Sequence, residues 1–439
     1  MRSSTLYPLA AYALGIRLAT AAAVLGAQAI IPHAAAAVDE AALAPAAAPV
    51  AFVPKAKTVI DLGVATDTFL NRDSCGSVRM GGRTLWTCRD TQFNRPNGLP
   101  ELRIISSTAS WSDDGDLVDG AADPGSCAEL LASGDVAGAA EIRNKLLPSS
   151  GRLRMYGKQS GSAFFPLLDG QCNSNQAGLC PDGSRYTIWP DSPPMAVGSA
   201  AYTWIRKFRV NGALQPFVVD PGTALYKVEH KEDGGADAEA LPSASVVKGD
   251  FWADHEISYG AYGNVVHGGY AYLFAQLSPS GGAGAVALAR VKADDGPAAV
   301  EDRSRYEYFV AGSWTGNMPR QADAALVAVP NASAGGQGTY YYSEAWGRFV
   351  WIGQAGLRVT AEFFVTTSPA PEGPWEQPVP FYTGAGGNYS LSAYSLQAHP
   401  ALVPRGCDGQ AMVISWTINN LIGRDNVYTT PLALVVWDK

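Results

Sequence analysis

The sequence predicts an all-β fold, a five-bladed β-propeller with a small, partly helical insertion held by disulfides. The composition indicates many turns and aromatic strands, with 47 Gly, 19 Tyr and 11 Trp but only 16% charged residues. Short aromatic and β-branched runs bounded by Gly, Pro, Asn and Asp recur along the chain, and helical periodicity is almost absent. A pair of β-sandwiches is the alternative, and the recurrence of similar hairpins favours the propeller.

The amino terminus predicts a secretory signal peptide over residues 1–37. Arg2 gives a positive start, Leu18 to Ile31 is an apolar core, and Ala35-Ala36-Ala37 is a small-residue cleavage motif. A membrane anchor is the alternative, which Pro32 and the weak hydrophobicity of alanine disfavour. We therefore expect a secreted, extracellular protein.

Residues 38–55 are rich in Ala and Pro and contain little that would pack, so we expect a short tether. Residues 56–439 then form the propeller. The longest interval between hairpin turns predicts an insertion at about 113–185, which contains one amphipathic helical stretch from Ser126 to Leu147.

Five two-residue turns between strand-like runs predict the hairpins of the blades. They are Gly81-Gly82, Asn211-Gly212, Gly268-Gly269, Trp346-Gly347 and Asp408-Gly409.

Charge and cysteine content limit the partners. A formal charge of −8 without Lys/Arg runs disfavours nucleic acid and anionic membrane surfaces, and a neutral glycan fits better. Six cysteines in an exported chain predict disulfides. Neither a zinc spacing nor a nucleotide or metalloprotease motif is present, so we expect no cofactor and no metal. We also expect a monomer. Sequons at Asn331 and Asn388 predict glycosylation in a eukaryotic source, or are chance occurrences.

The first hairpin predicts a candidate catalytic pair. If Gly81-Gly82 is a two-residue turn, paired positions place Cys75 opposite Cys88 and Asp73 opposite Asp90, all on one face. Opposed residues are close enough for a cross-strand disulfide, which would also hold the register of the aspartates.

Two facing carboxylates destabilise a hairpin unless they serve a purpose. One of them is driven toward protonation, which yields an acid and a base from the same residue type, as glycosidic cleavage requires. The alternative is that Asp73 and Asp90 only cap the hairpin ends by bonding backbone groups.

Weaker candidates surround this pair. His399 is a candidate hydroxyl or proton partner near the axis, or an ordinary hydrogen-bonded histidine. The run Asp254-His255-Glu256 is a second choice for an acid or a metal ligand, or a solvated loop. Aromatic candidates for stacking on sugar rings, which strand packing explains equally well, are Trp252, Tyr259, Trp314 and Tyr394.

Several segments resemble the DUF4185 family, namely RDSCGSVRMGGRTLWTCRDTQ, AVALARVKADD, YSEAWGRFVWIG, FFVTTSPAPEGPW and YSLQAHPAL with ISWT. The resemblance spans roughly Ile60 to Trp437 outside the insertion. It implies a secreted five-bladed propeller related in shape to arabinanase-like glycoside hydrolases. Some bacterial members are endo-D-arabinanases that use two first-blade aspartates, which match Asp73 and Asp90. The leader, the insertion and the WPDSPP segment (Trp189 to Pro194) are more similar to fungal secreted relatives.

The sequence therefore predicts a glycoside hydrolase acting on a polysaccharide, with an arabinan-like substrate as one candidate. The alternative from another class is a non-catalytic, lectin-like propeller that binds carbohydrate, because one fold serves both roles. A surface protein that presents loops to a protein partner is a third hypothesis.

Overall fold

The computed structural model describes residues 51–94, 100–113, 152–159, 161–172, 178–230, 237–277, 285–332, 335–356, 358–389, 391–403, 406–423 and 425–438. The predicted signal peptide, most of the tether and the helical stretch Ser126 to Leu147 lie outside the described residues.

The fold is all-β. In chain order the strands are β1 (Ala56–Thr66), β2 (Leu70–Arg72), β3 (Gly76–Met80), β4 (Arg83–Cys88), β5 (Thr91–Asn94), β6 (Pro100–Ile105), β7 (Thr108–Asp113), β8 (Arg152–Arg154), β9 (Arg185–Tyr186), β10 (Met195–Val197), β11 (Ala200–Arg206), β12 (Arg209–Val210), β13 (Thr223–Glu229), β14 (Ser243–Trp252), β15 (Gly263–His267), β16 (Tyr270–Gln276), β17 (Ala285–Lys292), β18 (Glu307–Val310), β19 (Ser313–Thr315), β20 (Val329–Pro330), β21 (Gly338–Ser343), β22 (Arg348–Gly353), β23 (Glu362–Ser368), β24 (Val379–Thr383), β25 (Ala393–Ala398), β26 (Ala411–Ile422) and β27 (Asp425–Trp437). Within the described residues, α-helix is limited to α1 (Pro297–Glu301) and α2 (Ala324–Val327).

Five sheets follow one another along the chain, and their strands pair antiparallel except for β1 and β8 of the fifth sheet, which pair parallel. Sheet 1 is β3-β4-β7, sheet 2 is β10-β11-β13-β14, sheet 3 is β15 to β19 with β20 beside β17, and sheet 4 is β21 to β24. Sheet 5 is β25-β26-β27-β1-β8, in which the early strand β1 pairs with the last strand β27. Two smaller sheets, β2-β5-β6 and β9-β12, complete the described strands.

Each sheet packs on the next through an apolar cluster with a buried tryptophan. These tryptophans are Trp111 between sheets 1 and 2, Trp204 between 2 and 3, Trp351 between 3 and 4, Trp416 between 4 and 5, and Trp86 between 5 and 1. The first strands also meet in chain order: β3 contacts β10, β10 contacts β15, β15 contacts β21, and β21 contacts β25. Truncating a buried tryptophan typically costs about 3–5 kcal/mol, so these interfaces hold the sheets together.

The first hairpin has the predicted register. Met80 pairs with Arg83 across Gly81-Gly82, and Gly81 has a φ of 59°, which glycine adopts at no steric cost. The same register continues beyond the sheet into β2 and β5, where Leu70 pairs with Phe93. This long hairpin therefore runs from the turn past the aspartate pair to Leu70 and Phe93.

The other predicted turns fared differently. Gly268-Gly269 is a two-residue turn, with His267 paired to Tyr270. The turn at Trp346-Gly347 is four residues long, because Ser343 pairs with Arg348.

The predicted two-residue turn at Asn211-Gly212 is a longer loop that closes a short hairpin, in which Val210 is bridged to Pro216. The predicted hairpin at Asp408-Gly409 was wrong. The Asn211 side chain folds its own loop by accepting from the Ala213 and Gln215 amides, and the turn of sheet 2 lies instead between Val197 and Ala200. The Asp408 carboxylate accepts from Ser343 Oγ and the Ala345 amide, and so tethers two loops.

Packing begins before the predicted end of the tether. The Phe52 ring lies 5.5 Å from that of Trp346, and the Lys55 carbonyl accepts from the Asp438 amide at 2.7 Å. Phe52 and Lys55, which were predicted to lie in the tether, therefore contact the folded sheets.

Disulfides join Cys75 to Cys88 and Cys172 to Cys180, and Cys407 is also disulfide-bonded. Across the described ranges, no helix has the length and apolar character of a membrane span.

Candidate active site at the aspartate pair

The aspartates lie where the first hairpin passes from β2 and β5 into sheet 1. The Asp73 amide donates to the Asp90 carbonyl at 3.0 Å, and the Arg89 amide donates to the Asp73 carbonyl at 2.8 Å. Ser74 has a φ of 51° and its amide donates to Thr417 Oγ1, so the strand is interrupted beside the pair. The register and the disulfide thus bring Asp73 and Asp90 together, at 8% and 7% exposure.

Asp90 is anchored by a bidentate ion pair. Arg185 Nη1 and Nη2 donate to its two carboxylate oxygens at 2.9 and 2.7 Å. Trp189 Nε1 adds a third hydrogen bond at 3.1 Å. Such charge-assisted, planar pairing holds the Asp90 side chain in one position.

Asp73 has a different environment. Within the described residues it forms no ion pair, and its Oδ1 accepts from Ser74 Oγ at 2.6 Å. Burial raises the pKa of Asp73 to about 6, and the charge of Asp90 adds to this, whereas Arg89 and the hydrogen bonds of Ser74 and Tyr394 oppose it. Asp73 therefore binds a proton near pH 6, well above the ordinary range of a carboxyl group.

Two tyrosines of sheet 5 adjoin the carboxylates. Tyr394, which the sequence singled out, bonds Asp73, and burial together with Asp73 raises its pKa well above the ordinary value. Tyr428 lies near both aspartates, and burial and these charges raise its pKa in the same direction. Both hydroxyls therefore stay protonated and can donate.

A third carboxylate completes the cluster. Asp191 is 8% exposed and forms ion pairs with Arg89 and Arg206, the latter at 2.7 Å. Gln337 Nε2 approaches Asp191 Oδ1 at 3.3 Å. Carboxylates and guanidiniums thus alternate across the site, with three of each.

Sequence reasoning missed most of the groups around the pair, including Arg89, Arg206 and Tyr428. Arg185, Trp189 and Asp191 lie at the end of the predicted insertion or just beyond it, about a hundred residues from Asp90 along the chain. The only signal was the unusual WPDSPP segment, which contains Trp189 and Asp191.

His399 does not line an open site. It is fully buried, its Nδ1 lies 2.7 Å from Ser77 Oγ, and its Nε2 lies 2.7 Å from Ser415 Oγ. Burial lowers the pKa of His399 to about 3, so the ring is neutral. His399 is therefore a hydrogen-bonded core histidine and not the substrate hydroxyl or proton partner that was expected.

The predicted stacking residues are mostly core residues. Trp252 and Tyr259 are fully buried between sheets 2 and 3, where Trp252 Nε1 donates to the Tyr259 carbonyl. Their faces pack against protein, so the expectation that they bind sugar is corrected. Trp314 is half-buried under the Arg290 guanidinium. Only Tyr394 adjoins the aspartates.

The run Asp254-His255-Glu256 forms no joint site. Asp254 accepts from the Gly222 amide, and Glu256 pairs with Arg303 at 2.6 Å. More broadly, the part of the chain that is described contains no cluster of three or more potential metal ligands.

The sequon asparagines remain predictions. Asn388 is exposed, with its side chain bonded to the Leu421 backbone, and Asn331 Nδ2 donates to the Trp375 carbonyl.

The sequence matches no family model and no curated protein. Among solved structures, a protein from Bacteroides ovatus, provisionally assigned as a hydrolase, aligns with a TM-score of 0.50 and 17% identity over 82% of this chain and 85% of that one. A family 117 glycoside hydrolase from Zobellia galactanivorans aligns with a TM-score of 0.43 and 8% identity over 86% and 90%. An endo-1,5-alpha-L-arabinanase from Thermotoga petrophila gives 0.40 and 11% over 84% and 71%. The similarity to the Bacteroides ovatus protein is a similarity of fold.

Proposed function

We propose that the protein is a secreted glycoside hydrolase with a five-bladed β-propeller fold, in which Asp73 and Asp90 are the catalytic carboxyl pair. The five sheets, each packed on the next with their first strands adjacent, support the architecture. The residues around 113–185 are then an insertion between the first two blades, and residues 1–37 a cleaved leader. The disulfides support an oxidising compartment.

One observation carries the activity: two adjacent aspartates have opposite environments. The pKa of Asp73 is raised to about 6, and no cation contacts its carboxyl group within the described residues. Asp90 bonds a guanidinium through both oxygens. Two adjacent carboxyl groups with such different surroundings can supply both the acid and the carboxylate that cleavage of one glycosidic bond requires.

In the proposed mechanism, protonated Asp73 donates its proton to the leaving-group oxygen of the glycosidic bond. Asp90 is the carboxylate that either attacks the anomeric carbon or activates water, and Arg185 holds it in place. Tyr394, hydrogen-bonded to Asp73, orients the acid. The substrate class is a neutral polysaccharide, and an arabinan-like chain is the first candidate.

The test is a polysaccharide hydrolysis screen, D-arabinan included, with the parent, Asp73→Asn and Asp90→Asn. Each substitution should reduce kcat/KM about 10²–10⁴-fold. The parent kcat/KM should fall tenfold per pH unit above about pH 6, because Asp73 then loses its proton. Asp182→Asn is the matched control, since Asp182 pairs with Arg209 on the neighbouring exposed loop. Full activity in Asp73→Asn and Asp90→Asn would overturn the assignment.

One feature favours a second function. Asp90 accepts three hydrogen bonds from protein donors, which suits a fixed polar anchor as well as a reacting group. A lectin-like propeller would therefore bind a polysaccharide without cleaving it. Glycan binding by calorimetry, without product release, would select this alternative.

A further inference from the structure

We propose that Asp191 is a positioning residue of the aspartate pair, which holds the Arg89 guanidinium beside Asp73 but out of an ion pair with it. This inference rests on the proposed function for its catalytic consequence. The placement of the Arg89 charge between Asp191 and Asp73 does not depend on that function.

Asp191 is contacted by polar side chains from three sheets. Arg89 follows β4 of sheet 1, Arg206 ends β11 of sheet 2, and Gln337 precedes β21 of sheet 4, and all three direct polar hydrogens at Asp191. Gln337 Nε2 also approaches the Asp191 backbone carbonyl at 3.3 Å. A carboxylate held by two guanidiniums and an amide is fixed in place and does not itself serve as the acid.

Arg89 lies between two carboxylates and pairs with one of them. Its backbone amide donates to the Asp73 carbonyl, while its side chain forms an ion pair with Asp191. Its guanidinium also lies 5.6 Å from the Trp189 ring centre, on the same segment as Asp191. Among the ion pairs of the described residues, none joins Arg89 to Asp73.

The consequence concerns the proton on Asp73. The charge of Arg89 is the strongest influence that lowers the pKa of Asp73 against burial. A guanidinium in direct contact would lower it further, by about 1–3 pH units in typical cases, so that Asp73 would lose its proton at about pH 5 or below instead of near pH 6. Asp191 prevents this contact by offering Arg89 a second, fixed partner.

Removing the Asp191 charge should therefore release Arg89 toward Asp73. The other charged or titratable groups that face Asp73 remain in place; they are Asp90, Arg185, Tyr394 and Tyr428. The titration midpoint of Asp73 is thus the direct readout.

The experiment follows the Asp73 carboxyl carbon by NMR against pH, with carboxyl-labelled aspartate and Asp73→Asn for assignment. In Asp191→Asn the midpoint should fall by one pH unit or more, and Asp191→Glu should restore it. Arg89→Gln should raise the midpoint, and adding Asp191→Asn to Arg89→Gln should change it no further. Asp182→Asn, in the exposed pair with Arg209, is the control and should leave it unchanged.

An unchanged or raised midpoint in Asp191→Asn would overturn the proposal. If that variant does not fold, Arg89→Gln with Asp191→Asn, which removes both charges, gives the decisive comparison with Arg89→Gln. In an active parent, the upper limb of the pH profile of kcat/KM should move down with the midpoint, with a loss of about tenfold per unit at pH 7. A parent without hydrolase activity would refute the proposed function, whereas the midpoint would still test the role of Asp191.

Discussion

Two buried polar clusters lie where sheet 1 meets sheet 5, and the buried titratable group of each has different polar partners. His399 is neutral, and each ring nitrogen bonds one serine hydroxyl. Asp73 lies among three guanidiniums and two further carboxylates, and forms no ion pair of its own within the described residues. Burial of a titratable group alone therefore does not identify a functional site, because both ring nitrogens of His399 have hydrogen-bond partners. The site is identified by two neighbouring carboxyl groups of which one, Asp90, has an ion-pair partner and the other, Asp73, has none within the described residues.

The two clusters also respond to pH in opposite directions. The pKa of His399 is lowered from 6.5 to about 3, so the unfolded chain binds the proton first and stability falls as pH decreases from 6.5 toward 3. The pKa of Asp73 is raised from 3.8 to about 6, so the folded chain binds the proton first and stability falls as pH rises through this window.

The largest stability effect should come from unpairing Asp90. Arg185→Gln leaves a buried carboxylate without its bidentate partner, and the free energy of unfolding should fall by about 3–5 kcal/mol. Arg209→Gln is the control, because the Arg209–Asp182 pair is exposed and should contribute under about 1 kcal/mol. Urea unfolding at pH 7.5 measures both, and equal small losses would show that the Asp90 pair is not a buried charge pair in solution.

The next largest effect on stability should come from removing the buried carboxylate of Asp73. Asp73→Asn replaces a carboxylate that is costly to ionise, so unfolding at pH 8 should become about 3 kcal/mol more costly than in the parent. The gain should shrink between pH 6 and pH 4 and disappear below that, because the parent is then protonated in both states. Thermal unfolding across this range provides the test, and a pH-independent difference would contradict the raised pKa.

The sequence was sufficient for the pair and not for its surroundings. Because Gly81-Gly82 closes a two-residue turn, every pairing up to Asp73 and Asp90 follows from counting along the chain. The sites of Arg185 and Asp191 depend instead on how a distant segment packs, which no local period encodes.

The errors have a similar cause. In the sequence, Trp252 and Tyr259 look the same as exposed aromatic residues that stack on sugar rings. They are buried because sheet 3 packs on sheet 2. Asp408-Gly409 has the composition of a hairpin turn, yet Pro400 opens a short 3-10 helix where a strand was expected.

The smallest expected effect tests the closed cluster. Ser77→Ala leaves His399 Nδ1 without its partner in a buried position, so the free energy of unfolding at pH 7.5 should fall by about 1–3 kcal/mol. Ser243→Ala, at a mostly exposed strand end, is the control and should stay within about 0.5 kcal/mol of the parent. Because Ser77 and His399 are assigned no part in catalysis, kcat should stay within about twofold of the parent while stability falls. A loss of kcat that exceeds the loss of folded protein would instead connect His399 to the aspartate pair, and the distinction between the two clusters would have to be given up.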